Sequence, residues 1–384
     1  MNAREEKYFQ QGLLEGNEFE AAGREAVQAR VRTLASLLEL PADEARRQVI
    51  ADYKYRLDAL PAVSKFPELA GMRECVTAYD RGLSERSGLE VDDVIIFRNY
   101  LHTVTGVLRA EQGAPCVAPA SEPGCTLVYF PDSDRGPLVA NNTDDLLRPN
   151  FQTQPVWLVA NRAGLIVGTV SNGLHGDEVS PEIFPAPVFL MVYEMCQTVG
   201  EASELLTRLN LFWGPCNCLI ADRHGNSVVI EKSSCRYGLR ESNDGFSATT
   251  AMAAEEPSYK NYLWQTRERS LTARGLDKNC IDWAYWKAAE SRSQKLLQMT
   301  LTAQAQPTYQ ALEEIIYQHD GAPDQIHLDG NKCHRDEENP NWTLRTAIHV
   351  LNENCTFYSF PEPPKGGHLT ARLRKDYVLE EPIF

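Results

Sequence analysis

Residues 112–130 read QGAPCVAPASEPGCTLVYF, and the change of grammar inside this stretch divides the chain. From Gln112 to Gly124 it holds three prolines and two glycines with no hydrophobic period, the composition of an exposed connector that is open to cutting. From Thr126 to Phe130 it is β-branched and aromatic, which predicts a strand. Upstream, Val27, Val31, Leu34, Leu37 and Leu38, then Val49, Ile50, Tyr53 and Leu57, recur every three or four residues. The chain from Glu18 to about Arg98 therefore reads as helical, with breaks at Leu40-Pro41-Ala42-Asp43 and Gly88-Leu89-Glu90-Val91-Asp92.

Downstream of Gly124, short strands are predicted at Thr126–Phe130, Leu138–Asn141, Val156–Ala160, Leu165–Val170, Cys218–Ala221, Ser227–Glu231, Tyr237–Arg240, Phe246–Thr250, Arg345–Leu351 and Thr356–Phe360. The pair joined through Arg223-His224-Gly225-Asn226 is the strongest hairpin signal. Helical patterns fall at Val188–Val199, Ala202–Leu209, Tyr259–Arg274, Ile281–Met299 and Tyr309–His319. Meanders of strands separated by blocks of helices indicate an α+β protein in layers, without alternating βαβ units. No internal repeat interrupts this order.

Lysine and arginine number 38 against 53 aspartates and glutamates, for a net charge of −15. So acidic a body repels phosphate backbones and anionic membranes, so the partner expected is a small molecule. No apolar run is long enough for a membrane helix. The start, Met1 to Gly16, has neither a signal-peptide nor a transit pattern. The ten cysteines are then expected as reduced thiols in the cytoplasm.

Among them Cys125 stands apart, because it opens the first predicted strand directly after the connector. Cutting Gly124-Cys125 would leave a thiol and an α-amine on one residue. An α-amine with a reference pKa near ~8 is suited to proton transfer at neutral pH, so the residue would carry both nucleophile and base. Nineteen residues on, Asp144 closes Asn141-Asn142-Thr143-Asp144, where a carboxylate can orient that amine. A cysteine buried on a strand as a small hydrophobe is the plainer alternative.

The order of motifs resembles the acyl-coenzyme A:6-aminopenicillanic acid acyltransferase-like cysteine peptidases of the N-terminal nucleophile hydrolase superfamily. Before the connector, Phe66-Pro67-Glu68-Leu69-Ala70-Gly71 and the stretch from Ser87 to Ile95, ending at Asn99, look like the family's helical α-subunit. Cys125-Thr126 resembles its nucleophile and Asn142-Thr143-Asp144 its Asn-x-Asp strand. Ala221 to Glu231, Trp264 to Arg269, and Cys333-His334-Arg335 with Thr343-Leu344 follow in the family's order. The resemblance implies a four-layer αββα sandwich with a helical N-terminal segment. It implies cleavage at Gly124-Cys125 into residues 1–124, the α-subunit, and residues 125–384, the β-subunit, which together form one domain.

By the same resemblance Cys125 is the nucleophile, Asp144 orients its amine, Asn172 holds the scissile carbonyl and Arg335 is the late arginine, a role for which His334 competes. Two positions depart from the family. Thr250, in Ser247-Ala248-Thr249-Thr250-Ala251, stands where an oxyanion asparagine is expected, and Asn141 stands where the bile-salt and penicillin-cleaving relatives carry arginine. A threonine hydroxyl still donates one hydrogen bond, and an oxyanion donor contributes about 3 kcal/mol, so the change is expected to slow turnover without abolishing it.

The activity implied is acyl transfer or hydrolysis of a small amide or acyl thioester through an acyl-enzyme at Cys125, with an amine acceptor in the transfer case. No metal or organic cofactor is implied, and self-association into a homo-oligomer is left open. Three rivals remain. A zinc site at Cys216, Cys218, His224 and Cys235 has the wrong spacing. A papain-like Cys-His enzyme would open a helix with its cysteine and not a strand. A non-catalytic, unprocessed descendant would bind a ligand in the same cleft.

Overall fold

The structure, a computed structural model, describes residues 1–16, 23–59, 67–97, 125–146, 160–172, 185–208, 216–233, 236–318, 329–331, 341–361 and 372–378. Helices α1 (Ala3–Gly16), α2 (Gly23–Leu38), α3 (Ala42–Ala59), α4 (Met72–Ser87) and α5 (91–97) come first. Strands β1 (Cys125–Phe130), β2 (Leu138–Leu146) and β3 (Ile166–Ser171) lead to α6 (Pro185–Met195) and α7 (Val199–Arg208). Next are β4 (Cys216–Ala221), β5 (Ser227–Lys232), β6 (Tyr237–Glu241) and β7 (Ser247–Thr250), then α8 (Pro257–Ala273), α9 (Ile281–Ala303) and α10 (Tyr309–Ile316). The last strands are β8 (Asp329–Asn331), β9 (Asn341–Val350), β10 (Cys355–Pro361) and β11 (Arg372–Val378).

These strands form two antiparallel sheets. The larger has the order β11-β10-β9-β2-β1-β7, with β8 paired to β9, and the smaller the order β3-β4-β5-β6. Strand alternation sends each face to its own core. Leu127 and Tyr129 of β1 join Ile166, Leu219 and Val229 between the sheets. Val128 and Phe130 point the other way and pack with Leu296 of α9 and Leu312 and Ile315 of α10. On the far face of the smaller sheet, Val167, Cys218, Ile220 and Ile230 share a core with Tyr79 and Leu83 of α4 and with Leu190 and Leu206 of α6 and α7.

Helix α1 is held against both α4 and α6. Helix α1 crosses α4 at Gly12 and Gly82, where a methyl on either would run into the other helix's backbone, at the Tyr79 or Phe9 carbonyl. Arg4 Nε and Tyr8 OH of α1 donate to Glu194 of α6 at 2.8 and 3.0 Å.

Where the structure departs from the sequence reading, buried polar pairing is the main cause. Strand β2 was expected to end at Asn141 but continues through Asp144 to Leu146. Its polar residues are satisfied inside the protein, with Asn142 donating to the Ile316 carbonyl and accepting from Thr346. Helix α1 begins well before the helical pattern was read to start, and β11, charged along much of its length, was not anticipated. The predicted strand at 156–160 lies outside the described residues apart from Ala160, which belongs to no strand. Among the described residues no helix is long and apolar enough to cross a membrane.

Candidate active site

Cys125 is the first residue of β1, an interior strand with β2 on one side and β7 on the other. It is half-buried and packs against the core between the sheets. Its carbonyl accepts from the Ala251 amide at 2.8 Å, and the next amide, Met252, donates to the Ser171 carbonyl at 2.7 Å. The ends of β1, β7 and β3 are thereby tied together around the cysteine.

Asp144 lies at the far end of β2, one residue beyond Thr143, the cross-strand partner of Cys125. A register shift between Thr143 and Asp144 sets it against Thr343 of β9. The carboxylate is fully buried. Thr343 Oγ1 donates to Oδ1 at 2.7 Å and Arg292 Nη2 of α9 donates to Oδ2 at 2.7 Å. The same Arg292 nitrogen donates to Thr126 Oγ1 at 2.9 Å, so one guanidinium bridges β1 and β2 beside the cysteine. Sequence reading placed the late arginine at Arg335, which lies outside the described residues. Arg292 was missed because it sits in a helix, far from Asp144 in sequence.

Thr250 pairs with Thr126 across β7 and β1, which puts both on the helix-side face with Arg292 and Asp144. Its hydroxyl is buried and has no hydrogen-bond partner among the described residues. Thr249 faces the other way and accepts from Asn217 Nδ2 at 3.1 Å.

Asn172, just past β3, is buried, and its amide nitrogen donates to the Lys232 carbonyl at 3.1 Å and Tyr259 OH at 2.8 Å. Asn217 donates in turn to the Thr250 and Ala253 carbonyls at 3.0 and 2.5 Å. Asn217 thus holds the turn that follows β7, and Asn172 ties the end of β3 to the end of β5 and to α8. Asn141 donates to the Thr126 carbonyl at 3.0 Å, stitching β1 to β2.

Two further charged groups, Glu231 and Arg267, brace this region; both fall in stretches quoted in the sequence reading, which gave neither a role. Glu231 is fully buried at the end of β5, accepts from the Glu255 and Glu256 amides at 2.8 and 2.9 Å, and pairs with Arg240. Burial pushes its carboxyl above the ordinary range. Arg267 of α8 is fully buried near the Trp264 and Trp286 rings, its Cζ 4.9 and 5.1 Å from their centres. It donates to the Met252 carbonyl. Burial pulls its guanidinium down to about 9, which leaves it charged at neutral pH.

The seven cysteines among the described residues are all thiols. Cys216 and Cys218 point into the core beneath the helices, where burial pushes both thiols up, while His224 sits in the β4–β5 turn. Cys235 lies outside the described residues. Among those described, no group of three or more His, Cys, Asp or Glu is placed to hold a metal ion.

No protein-family profile matches the chain, and no curated protein sequence matches it. Among solved structures it is similar to a mutant of conjugated bile acid hydrolase from Clostridium perfringens, at 13% identity and a TM-score of 0.40 over 67% of this chain and 98% of that one. A second variant of that hydrolase gives 12% and 0.34 over 70% and 92%. Penicillin V acylase from Agrobacterium tumefaciens gives 12% and 0.29 over 66% and 78%. At these scores the similarities decide neither the activity nor the roles of residues.

Proposed function

We propose that the chain is a self-processing cysteine N-terminal nucleophile enzyme that cleaves or transfers the acyl group of a small amide or thioester. The observation that carries this reading is the placement of Cys125 at the very start of an interior strand, opposite Thr143, the residue before a buried carboxylate whose charge is balanced by Arg292. The three cores also support a helix, sheet, sheet, helix layering to which segments 1–124 and 125–384 both contribute.

In the first turnover the Cys125 thiol attacks the Gly124 carbonyl. The C–N bond breaks, the thiol proton passes to the departing nitrogen, and water hydrolyses the resulting thioester. The amine left on Cys125 then serves as base. An α-amine has a reference pKa near ~8 and so can move protons at neutral pH, and Asp144 is the carboxylate proposed to orient it. With a substrate, the amine takes the thiol proton as sulfur attacks the acyl carbon, then gives it to the leaving amine as the C–N bond breaks. Water or an acceptor amine attacks the thioester and restores the thiol. Thr250, on the strand beside β1 but on the other face of the sheet from the thiol, is the proposed oxyanion donor.

A panel of amides and acyl thioesters, quenched and weighed, tests the reading. A mass adduct on the fragment beginning at Cys125 is expected, with added amines diverting the acyl group to amide if transfer operates. The absence of both adduct and turnover, with Cys125 inert to alkylation, would leave the binding-module reading as the better one.

A further inference from the structure

Tyr237 and Leu239 are large apolar side chains left open to water, 48% and 44% exposed, and they stand two residues apart on one face of β6. That strand ends the smaller sheet. It pairs with β5 from Tyr237 to Glu241 without a break in register, and among the described residues no strand lies on its other side. A free strand edge presents unpaired amides and carbonyls, which proteins commonly blunt with a proline, a bulge or a charge. The middle of β6 carries Gly238 and Leu239 instead.

The charges along this edge are divided by end. At its start Arg236, with its Cζ 4.6 Å from the Tyr262 ring centre, lines a pocket together with Arg269 of α8. At its finish are Glu241 and, in the turn to β7, Asp244, both exposed. None of these four is in an ion pair among the described residues, and Glu268, which lines the same pocket, is paired with Lys278 at 2.5 Å. An antiparallel second copy lays the basic end of each strand on the acidic end of the other.

Register separates the ways of pairing. A two-fold axis perpendicular to the sheet sets residues of the same face opposite each other, so it passes through a residue of β6 and not between two. Three central positions are then open. Through Arg240, the axis sets that guanidinium against its own copy, and through Gly238 it sets Arg236 against Arg240. Through Leu239, no like charges lie opposite each other. Leu239 then meets Leu239 of the second copy, and Tyr237 lies opposite Glu241. Arg240 lies opposite Gly238, where the place of a side chain is taken by the Glu256 carboxylate. We propose that the free edge of β6 docks a second copy of this chain, antiparallel and centred on Leu239, so that the two four-stranded sheets join across it.

Sedimentation velocity of the purified chain over a range of concentrations is expected to show a dimer. Leu239→Lys puts two ammonium groups on the axis and removes the apolar contact, which should weaken the dimer by at least about tenfold. Arg236→Glu makes both ends acidic and should weaken it severalfold, and adding Glu241→Arg restores opposite ends and should recover most of the loss. Leu276→Lys, at an exposed position away from this edge, should change nothing. Leu239→Cys reads the register, because residues opposite on antiparallel strands have Cα atoms about 4.5–5.5 Å apart, within disulfide reach. Mild oxidation should link that variant into a covalent dimer, mapped by peptide mass to position 239. Tyr237→Cys, whose two copies would be offset by four residues, should not link.

A wild type that stays a monomer throughout overturns the proposal, whether the edge is bare or serves another protein, and this needs no variant to fold. A dimer that Leu239→Lys leaves intact assembles elsewhere and overturns it as well. A dimer that Leu239→Cys fails to link overturns the register.

Discussion

Arg292 Nη2 donates to Asp144 Oδ2 at 2.7 Å, and with side chains 5% and 0% exposed the two charges form a buried pair between α9 and the end of β2. Removing either partner strands the other in a site with little water. Asp144→Asn and Arg292→Met are each expected to cost about 3–5 kcal/mol of stability, and the double variant less than the sum. Urea unfolding of all four proteins measures the coupling. Single variants that lose under about 1 kcal/mol, a loss typical of exposed pairs, would show that the two charges are not paired.

The Thr250 hydroxyl is buried without a partner among the described residues, so Thr250→Val should leave stability nearly unchanged. Turnover is expected to fall about tenfold, less than the 10²–10³ typical of a well-placed oxyanion donor, because Thr250 lies on the face opposite the thiol. Unchanged kinetics would remove it from the site.

At an ordinary helical position Gly→Ala stabilises by about 1 kcal/mol. At Gly12 and Gly82 the sign should reverse, with a loss of about 1–3 kcal/mol, because the added methyl meets the backbone of the crossing helix. Thermal unfolding of Gly12→Ala and Gly82→Ala gives the sign directly.

His349 is buried, with Nδ1 2.6 Å from Thr356 Oγ1, and burial pulls it down to about 4. Below its ordinary pKa of about 6.5 the unfolded chain takes up a proton that the folded one resists. Stability should therefore fall by about 3 kcal/mol as pH drops from about 6.5 towards 4, a slope that His349→Gln removes. Denaturation curves at several pH values compare the two proteins. Equal slopes would mean that His349 charges freely in the fold.

The fold class was legible because periodicity and β-branched runs report burial, and the cores formed where those runs predicted. Cys125 stood out for the same local reason, a strand opening directly after a proline-rich connector. What the sequence hid is lateral. Arg292 and Arg345 reach Asp144 and Thr143 through a helix packed on the sheet and a strand added late to it, at sequence distances where no spacing rule operates. Asn172 looks like a candidate donor in sequence, yet its amide is taken up by the buried Lys232 carbonyl and the Tyr259 hydroxyl. Strand β2 looked finished at Asn141 because its polar continuation finds partners only in three dimensions.

Self-processing at Gly124-Cys125 is tested most directly by the intact mass of freshly purified wild-type protein beside Cys125→Ala. Wild type is expected to give two masses, for residues 1–124 and 125–384, from a complex that elutes as one species, while Cys125→Ala stays at 384 residues. A folded, active wild type with the single mass of the uncut chain would contradict it.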